Sequence, residues 1–413
     1  MHTLIRPFRA LRPAAGQGPA VAAPPYDVLN TEEARERARG RPSSFLHISK
    51  PEIDLPEGTD PYSAQVYAKG AENLKRLIDE GVLVRDEKPH YYIYQLRMGE
   101  HVQTGIACVG SVVEYDRNRI RKHEFTRPDK EDDRVRQITA LNAQTGPVLL
   151  AYRANAELKQ LIAHNSKGIP ACNVTADDGI THTIWVIDDA EQISAVTRIV
   201  DAMDSLYIAD GHHRSAAASR VAASRGAGNP NHSGDVSYNY FLCVAFPHDE
   251  MRILDYNRVV KDLNGQPEPD FLARISKEFT VTPVTGQARP TREGQFGMYL
   301  GGQWYRLEIQ PNLVPKDPVA RLDVSLLQDY LLGPVLGIGD PRRDKRIDFV
   351  GGIRGLGELE ARVDSGEMAV AFAMFPTSLE ALMAVADANQ VMPPKSTWFE
   401  PKLADGLLSH VLD

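Results

Sequence analysis

The chain has 413 residues, 42% of them hydrophobic and 25% charged, the balance of an ordinary globular protein, and at roughly 150 residues per domain it has room for two or three domains. With 47 Lys and Arg against 55 Asp and Glu the formal charge is −8, which argues against nucleic acid as a partner. Three scattered cysteines exclude a disulfide scaffold, and no apolar run reaches the roughly 18 residues of a membrane span, so a cytoplasmic protein without a membrane partner is expected.

The segment from Thr31 to Gly40 predicts a short charged helix, with Thr31 as N-cap. Residues 43–58, marked by Pro51 and Pro56, predict a loop or edge strand. Val66, Ala71, Leu74, Leu77 and Ile78 recur at helical spacing and predict a helix closed by Gly81. Two β-rich runs around Gly99-Glu100 predict a hairpin, and the charge-dense residues 116–137 predict a loop before the apolar run Gly146–Tyr152. A strand over 181–189, a helix over 190–203, then a strand, tight turn and Ala-rich helix over 205–226 follow, and 241–246 predict a buried strand. Beyond Pro267 come a helix over 269–279, a second hairpin at Gly301-Gly302, a helix over 323–337, alternating strands and helices, and a rigid loop over 392–402. The pattern gives an α+β fold with mixed sheets, hairpins and flanking helices. Three regions are expected: 1–150, 151–265 and 266–413.

Three segments carry the chemistry. In Asp210-Gly211-His212-His213-Arg214 a glycine turn leads from a buried strand into a helix start, where free N–H groups and the helix dipole favour an anion. Arg binds phosphate bidentately and His moves protons, so this turn is a candidate phosphate or nucleotide site; the plain alternative is a capped helix with solvated histidines. As a metal site, Asp-x-His-His lacks a third ligand at a standard spacing, so the metal is left unknown. In Lys122-His123-Glu124-Phe125-Thr126-Arg127, Glu124 and His123 are candidate catalytic residues, Glu124 as general base, with Lys122 and Arg127 holding an anionic substrate; the alternative is a surface salt-bridge loop. Lys395, Ser396 and Thr397 follow two prolines and are candidate substrate-binding groups, expected to lie close to the 210–214 turn, against the alternative of a loop that only docks its aromatics. Pro24–Asp27 and Asp340–Asp344 read as turns. There is no GxGxxG after a strand and no GxSxG, and the cysteines lack a neighbouring His, which argues against a Rossmann site, a hydrolase elbow and thiol catalysis.

The segments IRPFRALRP, PPYDV, SFLHISKPEIDLP, RKHEFTRPDKEDDR, LYIADGHHRSAAA, FVGG and MPPKSTWFEPK resemble, in that order and over nearly the whole chain, a bacterial family of unknown function, number one thousand and fifteen in the domain-of-unknown-function series. The ADGHHR segment is also similar to that of free L-serine kinases with a ParB-like fold. That second resemblance implies a ParB/serine-kinase-like core. It also implies a phosphate turn at Asp210, Gly211, His212, His213 and Arg214, a base at Glu124, and ATP or ADP with Mg²⁺ as cofactors. The chain departs from a minimal ParB-like domain in its length and in its C-terminal half. The expectation is a phosphotransferase acting on free serine or a similar hydroxylated metabolite. A ParB-like nucleotide-binding regulator and a metal-dependent hydrolase using Asp210, His212 and His213 are the alternatives. Oligomeric state is not legible.

Overall fold

A computed structural model describes residues 3–413, and the chain divides into two compact units, Met1–Met251 with Pro401–Asp413, and Arg252–Glu400. The first unit is built on a nine-stranded mixed sheet. From one edge the order is Ile120–Arg121, Leu206–Asp210, Val148–Tyr152, Tyr240–Pro247, His101–Ser111, Tyr91–Met98, Thr181–Ile187 and Cys172–Thr175, with Ile5–Arg6 pairing His101–Ser111 off this path. Val148–Tyr152 and Tyr240–Pro247 are buried along their whole length, as strands covered on both faces are. Leu150, Ile208, Val196, Phe241 and Cys243 meet in the core between sheet and helices, each large apolar side chain contributing about 1.5–3 kcal/mol by leaving water. A four-stranded sheet, Leu83–Arg85, Ala10–Pro13, Ser409–Val411 and Ala143–Gln144, stitches the last residues of the chain to its start.

The second unit carries a six-stranded sheet in the order Phe279–Val284, Gln303–Ile309, Gln295–Leu300, Val370–Ala373, Tyr256–Val260 and Ile347–Gly351, all pairs antiparallel. Its own core gathers Val259, Trp304, Val350, Leu359 and Ala371. Both expected hairpins are present, Tyr91–Met98 with His101–Ser111 and Gln295–Leu300 with Gln303–Ile309. Among the described residues no helix is long and apolar enough to cross a membrane.

The α+β fold with mixed sheets stands; three expectations are corrected. Residues 43–58 hold a helix, Leu46–Ser49, and a 3₁₀ turn, Pro51–Asp54. Pro51 opens that turn, where its missing N–H costs nothing, and Leu46, Ile48 and Ile53 are buried by it. The charge-dense stretch ends in a helix, Pro128–Leu141, again opened by proline, with Asp129 and Glu131 in its first turn favouring the dipole. Its buried face is Asp133, Gln137, Ile138 and Leu141, which mixes polar with apolar side chains and so hides the helical period from hydropathy. The three expected regions become two units, because strands from 1–150 and 151–265 alternate in one sheet.

Candidate functional site

Leu206–Asp210 is followed by Gly211 at φ 102°, and then by the helix His212–Gly228. That φ lies in the left-handed region that glycine enters freely, and a Cβ there would meet the Arg214 Nε at 3.0 Å. Gly211 offers no side chain to cap the helix, so the first N–H groups stay open to an anion. Ile120–Arg121 runs parallel to the preceding strand, with Leu206 opposite Ile120 and Tyr207 opposite Arg121. Parallel strands release their chains at the same edge, so Lys122, His123 and Glu124 emerge beside the 210–214 turn. Ligands of open α/β sheets gather at such carboxyl ends.

The two segments interlock through their histidines. His212 Nε2 accepts the His123 backbone N–H at 3.4 Å, and the two rings meet edge to face at 4.4 Å. That bond puts the His212 proton on Nδ1, 3.6 Å from Glu124 Oε2. His213 Nε2 accepts the Arg127 N–H at 3.1 Å. Burial pushes His123 down to about 4 and holds His212 well below the usual imidazole value, so both are neutral near pH 7. His123 Nδ1 is buried with no hydrogen-bond partner. The Glu124 side chain keeps 52% of its surface, open to a reactant.

Behind the turn lies a half-buried ionic cluster. Asp210 Oδ2 stands 3.3 Å from Lys402 Nζ and 3.5 Å from Arg214 Nη2. Burial pushes the Asp210 carboxyl up, but Lys402 and Arg214 outweigh it and hold it far below the ordinary range. Arg214 turns inward, donating to the Pro147 carbonyl at 2.5 Å. It shares the surroundings of a small cavity with Tyr26, Arg134 and Asp405.

Of the remaining sequence candidates, Lys122 places its Nζ 4.1 Å above the Tyr115 ring. Arg127 pairs with Asp129 at 2.8 Å on the surface. Lys395, Ser396 and Thr397 belong to the second unit. There the Lys395 carbonyl accepts from Arg258 at 2.9 Å, and Ser396, buried, donates to the Pro393 carbonyl and accepts from Thr377. These bonds use Ser396 to hold its own loop. The Cys108 and Cys243 thiols face each other across two strands with sulfurs 3.5 Å apart, and burial raises the Cys108 thiol, which fits a structural role. Sequence reasoning passed over Lys402, Tyr26, Arg134 and Asp405. Lys402 closes the proline-rich segment already singled out, and Tyr26 sits in PPYDV; Arg134 and Asp405 carry no local signal, because only the fold brings them together.

The family described as "Protein of unknown function (DUF1015)" matches residues 5–325. No curated protein matches the sequence. Among solved structures, a free serine kinase in complex with AMP is similar at 15% identity and TM-score 0.34, over 70% of this chain and 89% of that one. A mutant free serine kinase in complex with ADP is similar at 15% identity and TM-score 0.33, over 75% of this chain and 94% of that one. SbnI with C-terminal truncation, from Staphylococcus aureus, is similar at 10% identity and TM-score 0.38, over 72% and 85%.

Proposed function

The chain belongs to the DUF1015 family of proteins of unknown function, and from the geometry of its site we propose that it is a small-molecule kinase, transferring phosphate from ATP or ADP to free serine or a similar hydroxylated metabolite. One observation carries the reading: the parallel pairing of Ile120–Arg121 with Leu206–Tyr207 sets an exposed carboxylate, Glu124, beside an uncapped helix start. Phosphoryl transfer asks for little else than positioned cations and N–H donors around the phosphate and a base at the acceptor.

The nucleotide, when bound, supplies the phosphoryl group. The N–H groups at the start of the His212–Gly228 helix and His213 hold its phosphates, and Arg214 braces the turn from behind. Lys122 and Arg127 draw in the anion. Glu124 takes the proton of the acceptor hydroxyl as that oxygen bonds to phosphorus and the bridging P–O bond of the nucleotide breaks. Mg²⁺ prefers oxygen ligands, and the oxygen donors here are Glu124 and Asp210, the latter already engaged by Lys402 and Arg214. Phosphate oxygens are therefore its main ligands in this reading.

A second reading has its own observation. His123, Glu124 and His212 offer donor atoms that all lie within 4.8 Å of one another. Two imidazoles and a carboxylate suit Zn²⁺ or another first-row divalent ion once His212 gives up either the His123 N–H bond at Nε2 or the Nδ1 proton, and would make the protein a metal-dependent hydrolase with Glu124 as ligand in place of base. Of the trio expected from sequence only His212 belongs to this cluster; His123 and Glu124 stand in place of Asp210 and His213.

Phosphorus NMR with ATP, ADP and a panel of hydroxylated amino acids tests the first reading, paired with elemental analysis of the purified protein. A phosphomonoester product from metal-free enzyme plus added Mg²⁺ supports the kinase. One tightly held zinc or manganese per chain, lost in Glu124→Gln, with no phosphoester formed, overturns it in favour of the hydrolase.

A further inference from the structure

The loop that carries Glu124 is tied to the 210–214 turn at two points. The His123 N–H donates to His212 Nε2 at 3.4 Å, and the Arg127 N–H donates to His213 Nε2 at 3.1 Å. Residues 124–126 therefore form an arch beside the start of the His212–Gly228 helix, held at both feet by neighbouring histidines. The Thr126 hydroxyl adds a bond to Glu131, in the first turn of the next helix. In the middle of the arch stands Phe125, 78% exposed. Among the described residues the only other exposed Phe, Tyr or Trp is Tyr62, whose hydroxyl accepts from Lys130 at 2.9 Å. A single apolar side chain in water is ordinary, and Ile169 at 97% calls for no function. Phe125 differs in its place: a pinned backbone carries it, one residue from Glu124 and beside an uncapped helix start. The helix start is not the only sign of a ligand there. His123, 2% exposed, keeps Nδ1 without a hydrogen-bond partner, and it offers a donor atom within 4.8 Å of those of Glu124 and His212.

We propose that Phe125 stacks on the base of the bound nucleotide, so that the site selects a phosphoryl donor carrying a flat aromatic base over a bare phosphate chain. The inference rests on the kinase reading for its nucleotide and adds what recognises the base. A phenyl ring has neither donor nor acceptor for the hydroxyl or carboxylate of the acceptor. The nucleobase is the one part of either reactant with an extended apolar face, and stacking on an aromatic side chain tolerates any base. The helix N–H groups and His213 take the phosphates; the base, beyond the ribose, is left to the ring. The two histidine pins hold the arch before the ligand arrives, so binding has only one side chain to immobilise.

The experiment is calorimetric titration of the full chain with ADP and with pyrophosphate, Mg²⁺ present in both, on wild type, Phe125→Ala, Phe125→Leu and Phe125→Trp. Phe125→Ala and Phe125→Leu are expected to lose ADP about tenfold, the scale of one base–aromatic stack, and to keep pyrophosphate. Phe125→Trp is expected to keep both, and the emission it adds over the three native tryptophans to be quenched by ADP and not by pyrophosphate. ADP affinity unchanged in Phe125→Ala overturns the stack, because the ring then touches no ligand. ADP and pyrophosphate weakened alike overturns it too, because the ring then only shapes the arch. Full ADP affinity in Phe125→Leu does the same, by reducing the contact to an apolar one. The phosphate turn survives all three results. Stacking as described, with no phosphoester formed in the phosphorus NMR assay, overturns the kinase and leaves the base contact standing. A wild-type chain that binds neither ADP nor pyrophosphate overturns both. If Phe125→Ala fails to fold, the indole quenching in Phe125→Trp decides alone.

Discussion

At the scale of single residues the site turns on how Arg214 is spent. A guanidinium after two histidines reads in sequence as a ligand for phosphate; in the fold its side chain is only 12% exposed and it braces Asp210 and the Pro147 carbonyl. Removing it leaves Asp210 with Lys402 alone. Arg214→Ala should therefore destabilise the chain by about 3 kcal/mol, the low end for breaking a buried pair, since Asp210 keeps a third of its surface and one cation. Urea unfolding followed by fluorescence checks this, and a midpoint unchanged from wild type would show that the pair contributes nothing. Sequence made the residue types of the turn legible, because Gly at a strand–helix junction and adjacent polar groups are local signals. The direction of the Arg214 side chain was not, because Pro147 and Lys402 lie 67 and 188 positions away along the chain.

At the scale of elements, two helices decide the geometry. The His212–Gly228 helix reads clearly from its alanines. They let it lie close to the Pro128–Leu141 helix, across which Arg220 pairs with Glu131 and Asp132 at 3.3 and 2.7 Å. Ala217 is fully buried in the core of the first unit, and Ala217→Leu should overpack that core and cost about 1–3 kcal/mol. Differential scanning calorimetry would show the loss; a variant as stable as wild type would mean that a void lies under Ala217. The Pro128–Leu141 helix was hidden in its charges, and the two-residue strand Ile120–Arg121 was hidden by its brevity. Yet that short parallel pairing is what carries Glu124 to the turn. Arg119 pins its start by donating to the Asp201 and Met203 carbonyls at 2.6 and 3.0 Å. Arg119→Ala should raise amide exchange at residues 120–123 while sparing the central strands, and exchange spread evenly over the unit would contradict this.

At the scale of the whole molecule, the division into two units was not legible, because pairing of Ser409–Val411 with Ala10–Pro13 depends on contacts almost 400 residues apart. The pH response belongs to this scale. Burial pushes His123, His182 and His410 each down to about 4. The native chain keeps them neutral while the unfolded chain protonates near 6.5, so their contribution is present above about pH 6.5 and is lost as the pH falls toward 4. Asp405 opposes them: burial raises its carboxyl to about 7, so its contribution favours the folded chain at the acid end and is lost as the pH rises through 7. Asp323, likewise raised by burial to about 7, acts in the same direction as Asp405. The three histidines, joined by His212, outweigh these two carboxyls, so denaturant midpoints should fall from pH 7 to pH 4.5, and more steeply in Asp405→Asn; a flat profile would contradict the burial of these groups. The central claim, that the Glu124 loop and the 210–214 turn form one phosphoryl-transfer site, is tested most directly by paired turnover and nucleotide titration on Glu124→Gln. The substitution keeps shape and removes basicity. Turnover lowered by roughly 10²–10⁴ with nucleotide affinity intact is the predicted result, and turnover equal to wild type would contradict it.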